Sequence, residues 1–290
     1  MPRVLIAGCG YLGQAVADLL VADGWEVEGW TQSAESAAKI SGKSYSVRAV
    51  DISQEKQVLA QTGDFDAVIH CASTRGGNVD LYRRVYFDGA RNLLHRFGAS
   101  RILFTSSTSV YGQNDGDWVF EESLAKPKHE TGRILRKAEV FVRAGGANVV
   151  RLGGIYGPGR SALLKNVLHG DAIIDPSHDR FLNQIHRDDA ATAIQLLLKQ
   201  TRPAGEIYNV VDNEPILLSE CYRWLATKLD RRVRVAGRSI ARSASKRKRG
   251  DSNKRVSNGK LRGIGWTPRY PNFTAGMEKS VLLTFDHEGA

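Results

Sequence analysis

Short strand-like runs rich in Val, Ile, Leu and aromatic residues recur along the chain at 4–7, 26–30, 46–50, 67–71, 101–105 and 148–152. Between most of them, apolar residues return at helical spacing, as over 14–22, where Gly24 supplies the stop. Strands with little internal polarity, separated by amphipathic helices, predict an α/β protein. Its sheet is parallel and doubly wound, with helices on both faces. Two later runs, 207–211 and 233–235, flank a helical pattern at 219–228 and predict a smaller C-terminal part.

The first strand breaks into Gly8-Cys9-Gly10-Tyr11-Leu12-Gly13, a Gly-x-Gly-x-x-Gly turn that opens a helix. The first glycine allows the tight turn, the second a close approach to a pyrophosphate, and the third the packing of helix on strand. The N–H groups and dipole at the helix start then face the phosphate charge. A lone glycine triplet carries little weight, but this one stands between a strand and a helix, with a second strand following. A Rossmann-type NAD(P)-binding domain is therefore placed at 1–160, with core strands continuing to about 215. Residues 161–290 are mostly a small substrate-binding subdomain interleaved with it.

Composition narrows the classes. At 290 residues and 42% hydrophobic, the chain can bury a large core, and no apolar run is long enough to span a membrane. No signal-like leader precedes the first strand, so a cytoplasmic location is expected. Cys9, Cys71 and Cys221 are odd in number and widely spaced, which predicts neither disulfides nor a metal site. The net charge of +10 is local: residues 231–262 hold thirteen Lys or Arg against Asp251 alone, leaving −2 for the rest. The run Lys246-Arg247-Lys248-Arg249 has serines nearby but no interleaved aromatics, so a solvated loop or an attractor for an anionic substrate is favoured over nucleic-acid binding.

Phe104-Thr105-Ser106-Ser107-Thr108-Ser109-Val110-Tyr111-Gly112 resembles the extended short-chain dehydrogenase/reductases, the NAD-dependent epimerase/dehydratase family. The later segments 151–160, with Gly157-Pro158-Gly159, 183–190, with Ile185-His186, and 207–210 agree in order. The resemblance implies that Gly8, Gly10 and Gly13 cradle the pyrophosphate, with backbone amides from Tyr11 and Leu12. It places Asp51 and Ile52 against the adenine and Cys71, Ala72 and Ser73 along its ribose. Ser107 matches the family's catalytic hydroxyl, which bonds a substrate oxygen; its bland alternative is a strand-end hydroxyl bonded to backbone. A homodimer built on two sheet-flanking helices is also implied, although no apolar stripe singles one out.

The pattern breaks at the acid/base pair. The family carries a tyrosine, a lysine four residues on, and a glutamate four beyond that. Aligning Glu139 with the glutamate puts Leu135 at the lysine and Thr131 at the tyrosine, and no tyrosine in the chain is followed by lysine at that spacing. A phenol beside an ammonium can take a proton near neutrality, whereas a threonine hydroxyl cannot. Tyr111, Tyr156, His129 and Lys137 are the substitutes nearest in sequence.

The tip of the second strand reads Thr31-Gln32-Ser33, with neither the acid that holds an NAD ribose nor an arginine for NADP. Hydroxyls and an amide tolerate a 2′-phosphate, a lean to NADP. The expected function is an NAD(P)-binding oxidoreductase, epimerase or dehydratase. Its substrate would be a small or nucleotide-linked hydroxy or keto compound, with Ser107 and Thr131 as candidate catalytic residues. The alternative is a non-catalytic redox sensor.

Overall fold

A computed structural model describes residues 1–40, 42–74, 76–200, 204–236 and 252–285. The run Lys246–Arg249 and the neighbouring basic positions Arg238 and Arg242 lie outside the described residues.

Seven strands form the central sheet: β1 (Arg3–Ala7), β2 (Glu26–Thr31), β3 (Ser46–Ala49), β4 (Ala67–His70), β5 (Arg101–Ser107), β6 (Asn148–Leu152) and β7 (Ile207–Val210). Their order is β7-β6-β5-β4-β1-β2-β3, and every pairing from β6 to β3 is parallel. The chain winds outward from β1 to β3, crosses back to β4 and winds the other way. The strand order therefore reverses between β1 and β4, where open sheets of this kind bind ligands. Val4 to Ala7 and Ala67 to Ile69 are fully buried, as expected of strands covered on both faces. The longer helices are α1 (Tyr11–Ala22), α2 (Gly89–Phe97), α3 (Glu130–Ala144), α4 (Arg187–Lys199) and α5 (Leu218–Lys228).

Boundaries differ from the sequence expectation for local reasons. Helix α1 starts at Tyr11 rather than Gln14, because the Gln14 N–H already bonds the Gly10 carbonyl at 2.9 Å and closes the first turn. Strand β5 runs on to Ser107, since β6 continues to pair through Ser107 opposite Leu152. Ahead of α2 the helix widens into a π-turn over Arg83–Asp88. Its Val85 carbonyl accepts from His70 Nε2 at 3.1 Å, a local bond at one of the helix defects that often mark functional sites. Burial pushes the His70 imidazole pKa down, so the ring is neutral.

The chain divides into two compact units. One holds Met1–Val110, Ala125–Leu152 and Ala190–Tyr208; the other holds Tyr111–Leu124, Gly153–Asp189 and Asn209–Ala290. The second unit has its own core, in which Tyr156, Leu164, Val167, Cys221, Leu225 and Phe273 are buried together. Its chain is tied by buried acids: Asp189 accepts the backbone N–H groups of Arg269 and Tyr270 at 2.7 and 3.0 Å.

Asp212 is less well served. It is 2% exposed, its Oδ1 accepts the Glu214 N–H at 3.3 Å, and its Oδ2 has no partner. Burial raises its pKa well above the usual carboxylate range, and the nearby Glu214 and Asp189 push the same way. A raised folded-state pKa stabilises the fold below the unfolded value of about 3.9, and that contribution is lost as pH rises through the folded value. Asp212→Asn is therefore expected to match the parent at pH 4 and to exceed it at neutral pH by about 1–3 kcal/mol. Thermal melts of both proteins from pH 4 to 8 check this; a constant difference across the range would contradict it.

Candidate active site

The glycine turn sits at the strand reversal because its backbone leaves no room for anything else. Gly8 has φ +101°, and a Cβ there would lie 2.2 Å from the Ala72 nitrogen at the end of β4. A Cβ on Gly13 would meet the Gly8 carbonyl at 2.4 Å. The N–H groups of Gly8 and Cys9 both donate to the Trp30 carbonyl, at 3.0 and 2.8 Å, which seats the turn on the tip of β2. At Gly10, by contrast, a Cβ would meet nothing within 4 Å. Gly10 also begins α1 without a side-chain cap, and the first turn carries no acid. The helix start is left open to a ligand's negative charge.

The other predicted cofactor residues gather around this turn. Thr31 is buried, and its carbonyl accepts the Val50 N–H at 2.8 Å, bringing Asp51 and Ile52 beside Gln32 and Ser33. Ile52 is held by the Asn92 amide on its carbonyl at 2.9 Å. Its side chain lies so close to α2 that a Cβ on Gly89 would stand 2.8 Å from Ile52 Cδ1. The Cys71 N–H bonds the Ala7 carbonyl at 2.7 Å, so Cys71, Ala72 and Ser73 leave β4 directly beside the glycine turn. Burial pushes the Cys9 thiol up to about 11 and the Cys71 thiol higher still, so both stay protonated and unreactive near neutrality. Tyr11 and Leu12 form the first turn of α1, with Leu12 buried.

At the end of β5, Ser107 is half-buried and its Oγ accepts the Ser109 N–H at 3.2 Å. The neighbouring Ser106 points to the other face and donates to Glu139 Oε1 at 2.6 Å. Glu139, fully buried on α3, also accepts from Arg151 Nε at 3.0 Å and Nη2 at 2.7 Å, and from Arg136 Nη1 at 3.1 Å. This fork joins β5, α3 and β6 through one carboxylate. Arg151 is the part that sequence reasoning missed as a partner of Glu139; nothing in the spacing pairs them.

Thr131 sits on the first turn of α3 and is partly exposed, while Leu135, one turn on, is completely buried. Gly132 between them packs so tightly that a Cβ would meet Pro127 Cβ at 2.6 Å. The four substitutes are engaged or placed elsewhere. Tyr111 donates to Asn209 Oδ1 at 2.8 Å, and burial pushes the Tyr156 phenol far above its ordinary value. His129 is exposed at the start of α3, and the Lys137 ammonium lies 5.0 Å from the centre of the Phe87 ring.

In the second unit, Lys254 is 4% exposed, with burial lowering its ammonium to about 8, and its ammonium donates to the Ser252 hydroxyl. Beside it in sequence, Arg255 stacks on Phe181 at 4.2 Å and its Nε is buried without a partner. Sequence reasoning gave these two no special role, because they are lost in a run of cations.

A reversing parallel sheet with a glycine turn at the reversal and a serine-ended β5 defines an extended short-chain dehydrogenase/reductase with an NAD-binding fold. The chain belongs to the NAD dependent epimerase/dehydratase family, whose model matches residues 4–210. It is 34% identical over 228 residues to the Escherichia coli (strain K12) protein YeeZ, covering 72% of this chain and 77% of that protein. A solved family member from Methylobacillus flagellatus superposes with a TM-score of 0.78 at 26% identity, covering 98% and 99% of the two chains. The NAD complex of UDP-glucose 4-epimerase from Thermus thermophilus shares the fold, with a TM-score of 0.80 at 23% identity and 99% of each chain covered. No helix among the described residues is long and apolar enough to cross a membrane.

Removing the carboxylate of the buried fork strands the Arg151 guanidinium. Glu139→Ala is expected to cost about 3–5 kcal/mol in chemical denaturation. A cost below about 1 kcal/mol would show that the fork does not hold β5 and β6 to α3.

Proposed function

We propose that this protein binds a nicotinamide dinucleotide on the turn from Gly8 to Gly13 and works on a small or nucleotide-linked, anionic hydroxy or keto substrate. The observation that carries the reading is the open Cβ position at Gly10, flanked by two glycines where a side chain would collide with backbone. Those residues fit the group. Gly8, Gly10 and Gly13, with the amides of Tyr11 and Leu12, would hold the pyrophosphate. Thr31, Gln32, Ser33, Asp51 and Ile52 would surround the adenosine, and Cys71, Ala72 and Ser73 would line its ribose. When bound, the nicotinamide supplies a site for hydride.

The chain's own part in the chemistry is polarisation. Ser107 offers a hydroxyl to a substrate oxygen, and Thr131 is a second candidate donor. Neither ionises near neutrality, so neither replaces a tyrosinate as proton acceptor, and a proton released from a hydroxy substrate goes to solvent. The chemistry supported is that of substrates that need little acid/base help. Within the second unit, buried Lys254 and the buried Nε of half-buried Arg255 have no carboxylate among their described bonds, which supports an anionic ligand of that unit. Relatives in the family include UDP-glucose 4-epimerase and an epimerase of an undecaprenol-linked N-acetylglucosamine, which makes nucleotide- and diphosphate-linked sugars the first substrates to try.

A second reading, a dinucleotide-binding regulator without turnover, is favoured by one observation. Leu135, at the lysine position, is wholly buried in apolar packing and leaves no place for a charge.

Gly10→Ala separates binding from folding. Its stability is expected to stay within about 0.5 kcal/mol of the parent, while affinity for NADH or NADPH, followed by nucleotide fluorescence, falls about tenfold or more. Unchanged affinity would move the cofactor away from this turn. Absorbance at 340 nm with a panel of sugar nucleotides then decides between the readings. Turnover that drops about 100-fold in Ser107→Ala supports catalysis, and no turnover in the parent supports the regulator.

A further inference from the structure

Residues 113–124, part of the second unit, carry a surface that neither the cofactor nor the substrate reading uses. Gln113 Nε2 donates to the Leu124 carbonyl at 3.0 Å and closes the loop on itself. Inside it, the short strand Trp118–Val119 runs parallel to Arg255–Val256, with the Arg255 and Ser257 N–H groups on the Asp117 and Val119 carbonyls, each at 2.9 Å. Ahead of that strand, the Gly116 N–H bonds the Asn253 carbonyl at 3.1 Å, and the Asn253 N–H bonds Asn114 Oδ1 at 3.0 Å. Behind it, the Phe120 N–H donates to Ser123 Oγ at 2.9 Å, and Glu121 Oε1 accepts the Asn209 N–H at 2.8 Å. The loop is thus fixed along its whole length.

A strand sends successive side chains to opposite sides. Val119 and Glu121 are buried, so Trp118 and Phe120 are turned outward. Trp118 is 46% exposed, Phe120 49% and Leu124 71%. Large apolar side chains on a backbone already held in place have the make-up of an interface anchor, since little freedom is left to lose on binding. Their surroundings are acidic. Asp115, Asp117 and Glu122 are all exposed, and no Lys or Arg occurs between 113 and 124. Among the described residues no cation forms an ion pair with these three carboxylates. Arg255, opposite Trp118 in register, is turned instead onto the Phe181 ring, 4.2 Å from its centre.

We propose that the outer face of residues 115–124 is a docking surface for a partner polypeptide that presents Lys or Arg among apolar side chains. Charge selects this occupant. The partner's cations meet Asp115, Asp117 and Glu122 or the faces of the two aromatic rings, while its apolar side chains cover Trp118, Phe120 and Leu124. Nucleic acid and anionic lipid would bring further negative charge to the three carboxylates. A second copy joined about a twofold axis would set the same strip against itself, carboxylate to carboxylate.

The test is fluorescence anisotropy of the full-length protein with a short labelled peptide that repeats Lys-Leu-Arg-Phe. Two control peptides accompany it, one with Ser in place of Leu and Phe and one with Glu in place of Lys and Arg. The parent is expected to bind the first peptide at least about tenfold more tightly than either control. Trp118→Ser and Phe120→Ser are each expected to weaken that binding about tenfold or more. Asp117→Asn combined with Glu122→Gln is expected to weaken it about threefold or more and to flatten its salt dependence. Thermal melts are expected to match the parent, because the changed side chains face solvent; Leu124→Ser, at the most exposed of the three apolar positions, replaces any aromatic variant whose melt shifts. A parent without the preference, or binding that survives the aromatic substitutions, would overturn the inference. So would sedimentation showing a dimer that Trp118→Ser dissolves, which would make a second copy the occupant.

Discussion

The architecture of the first unit depends on one backbone-to-backbone approach. Where the strand order reverses between β1 and β4, the Gly8 backbone lies close enough to Ala72 that no side chain fits, and Gly13 closes on the Gly8 carbonyl from the helix side. Two further bonds to the Trp30 carbonyl draw in the tip of β2. Three strands and one helix therefore converge on a turn with almost no side-chain volume. That convergence has a chemical result as well as a structural one. It presents a helix start without its own cap, at the place in an open α/β sheet where strands diverge and leave a crevice.

A second constraint works behind the end of β5. Ser106 and Ser107 point in opposite directions, as neighbours on a strand must. Ser106 is tied to Glu139 and through it to Arg151, and Ser107 is left half-buried on the other side. Desolvating a carboxylate and a guanidinium is costly unless each is fully bonded. Here Glu139 receives four donors, two of them from one guanidinium. The support behind Ser107 is thus carried by buried side chains that belong to the scaffold.

Most of the fold was legible in the sequence. The strand runs at 4–7, 67–71 and 148–152 are short, apolar and bounded, and they became β1, β4 and β6 within a residue. The glycine turn was legible because Gly8 and Gly13 answer steric demands that no other residue can meet, with Gly10 completing the spacing between them. What could not be read were contacts that depend on register and on long-range pairing. Glu139 and Arg151 stand twelve residues apart with nothing to link them until α3 lies on the sheet. Asp51 was visible as a family position, but its closeness to Gln32 follows only from the pairing of Thr31 with Ala49. The π-turn at Arg83–Asp88 has no signature in composition at all; it becomes intelligible once His70 is seen on the Val85 carbonyl.

The second unit shows how far buried polarity can be carried without a ligand in view. His186 is completely buried, with Nδ1 accepting the Asp188 N–H at 3.2 Å and Nε2 against Ser280 Oγ at 3.1 Å. Accepting at Nδ1 fixes the proton on Nε2, and burial pushes the ring down to about 4, so this histidine is a neutral structural group at any pH near 7. Tyr156 meets it edge-on at 5.4 Å and reaches backbone beside Gly276, where a Cβ would collide with the phenol at 2.0 Å. These groups look like catalytic chemistry in the sequence and are packing in the structure. Lys254 makes the same point from the other side: one cation among thirteen in its segment, it is distinguished by burial, which makes its charge expensive. In both cases the residue type says little, and the surroundings decide whether a polar group is structure or function.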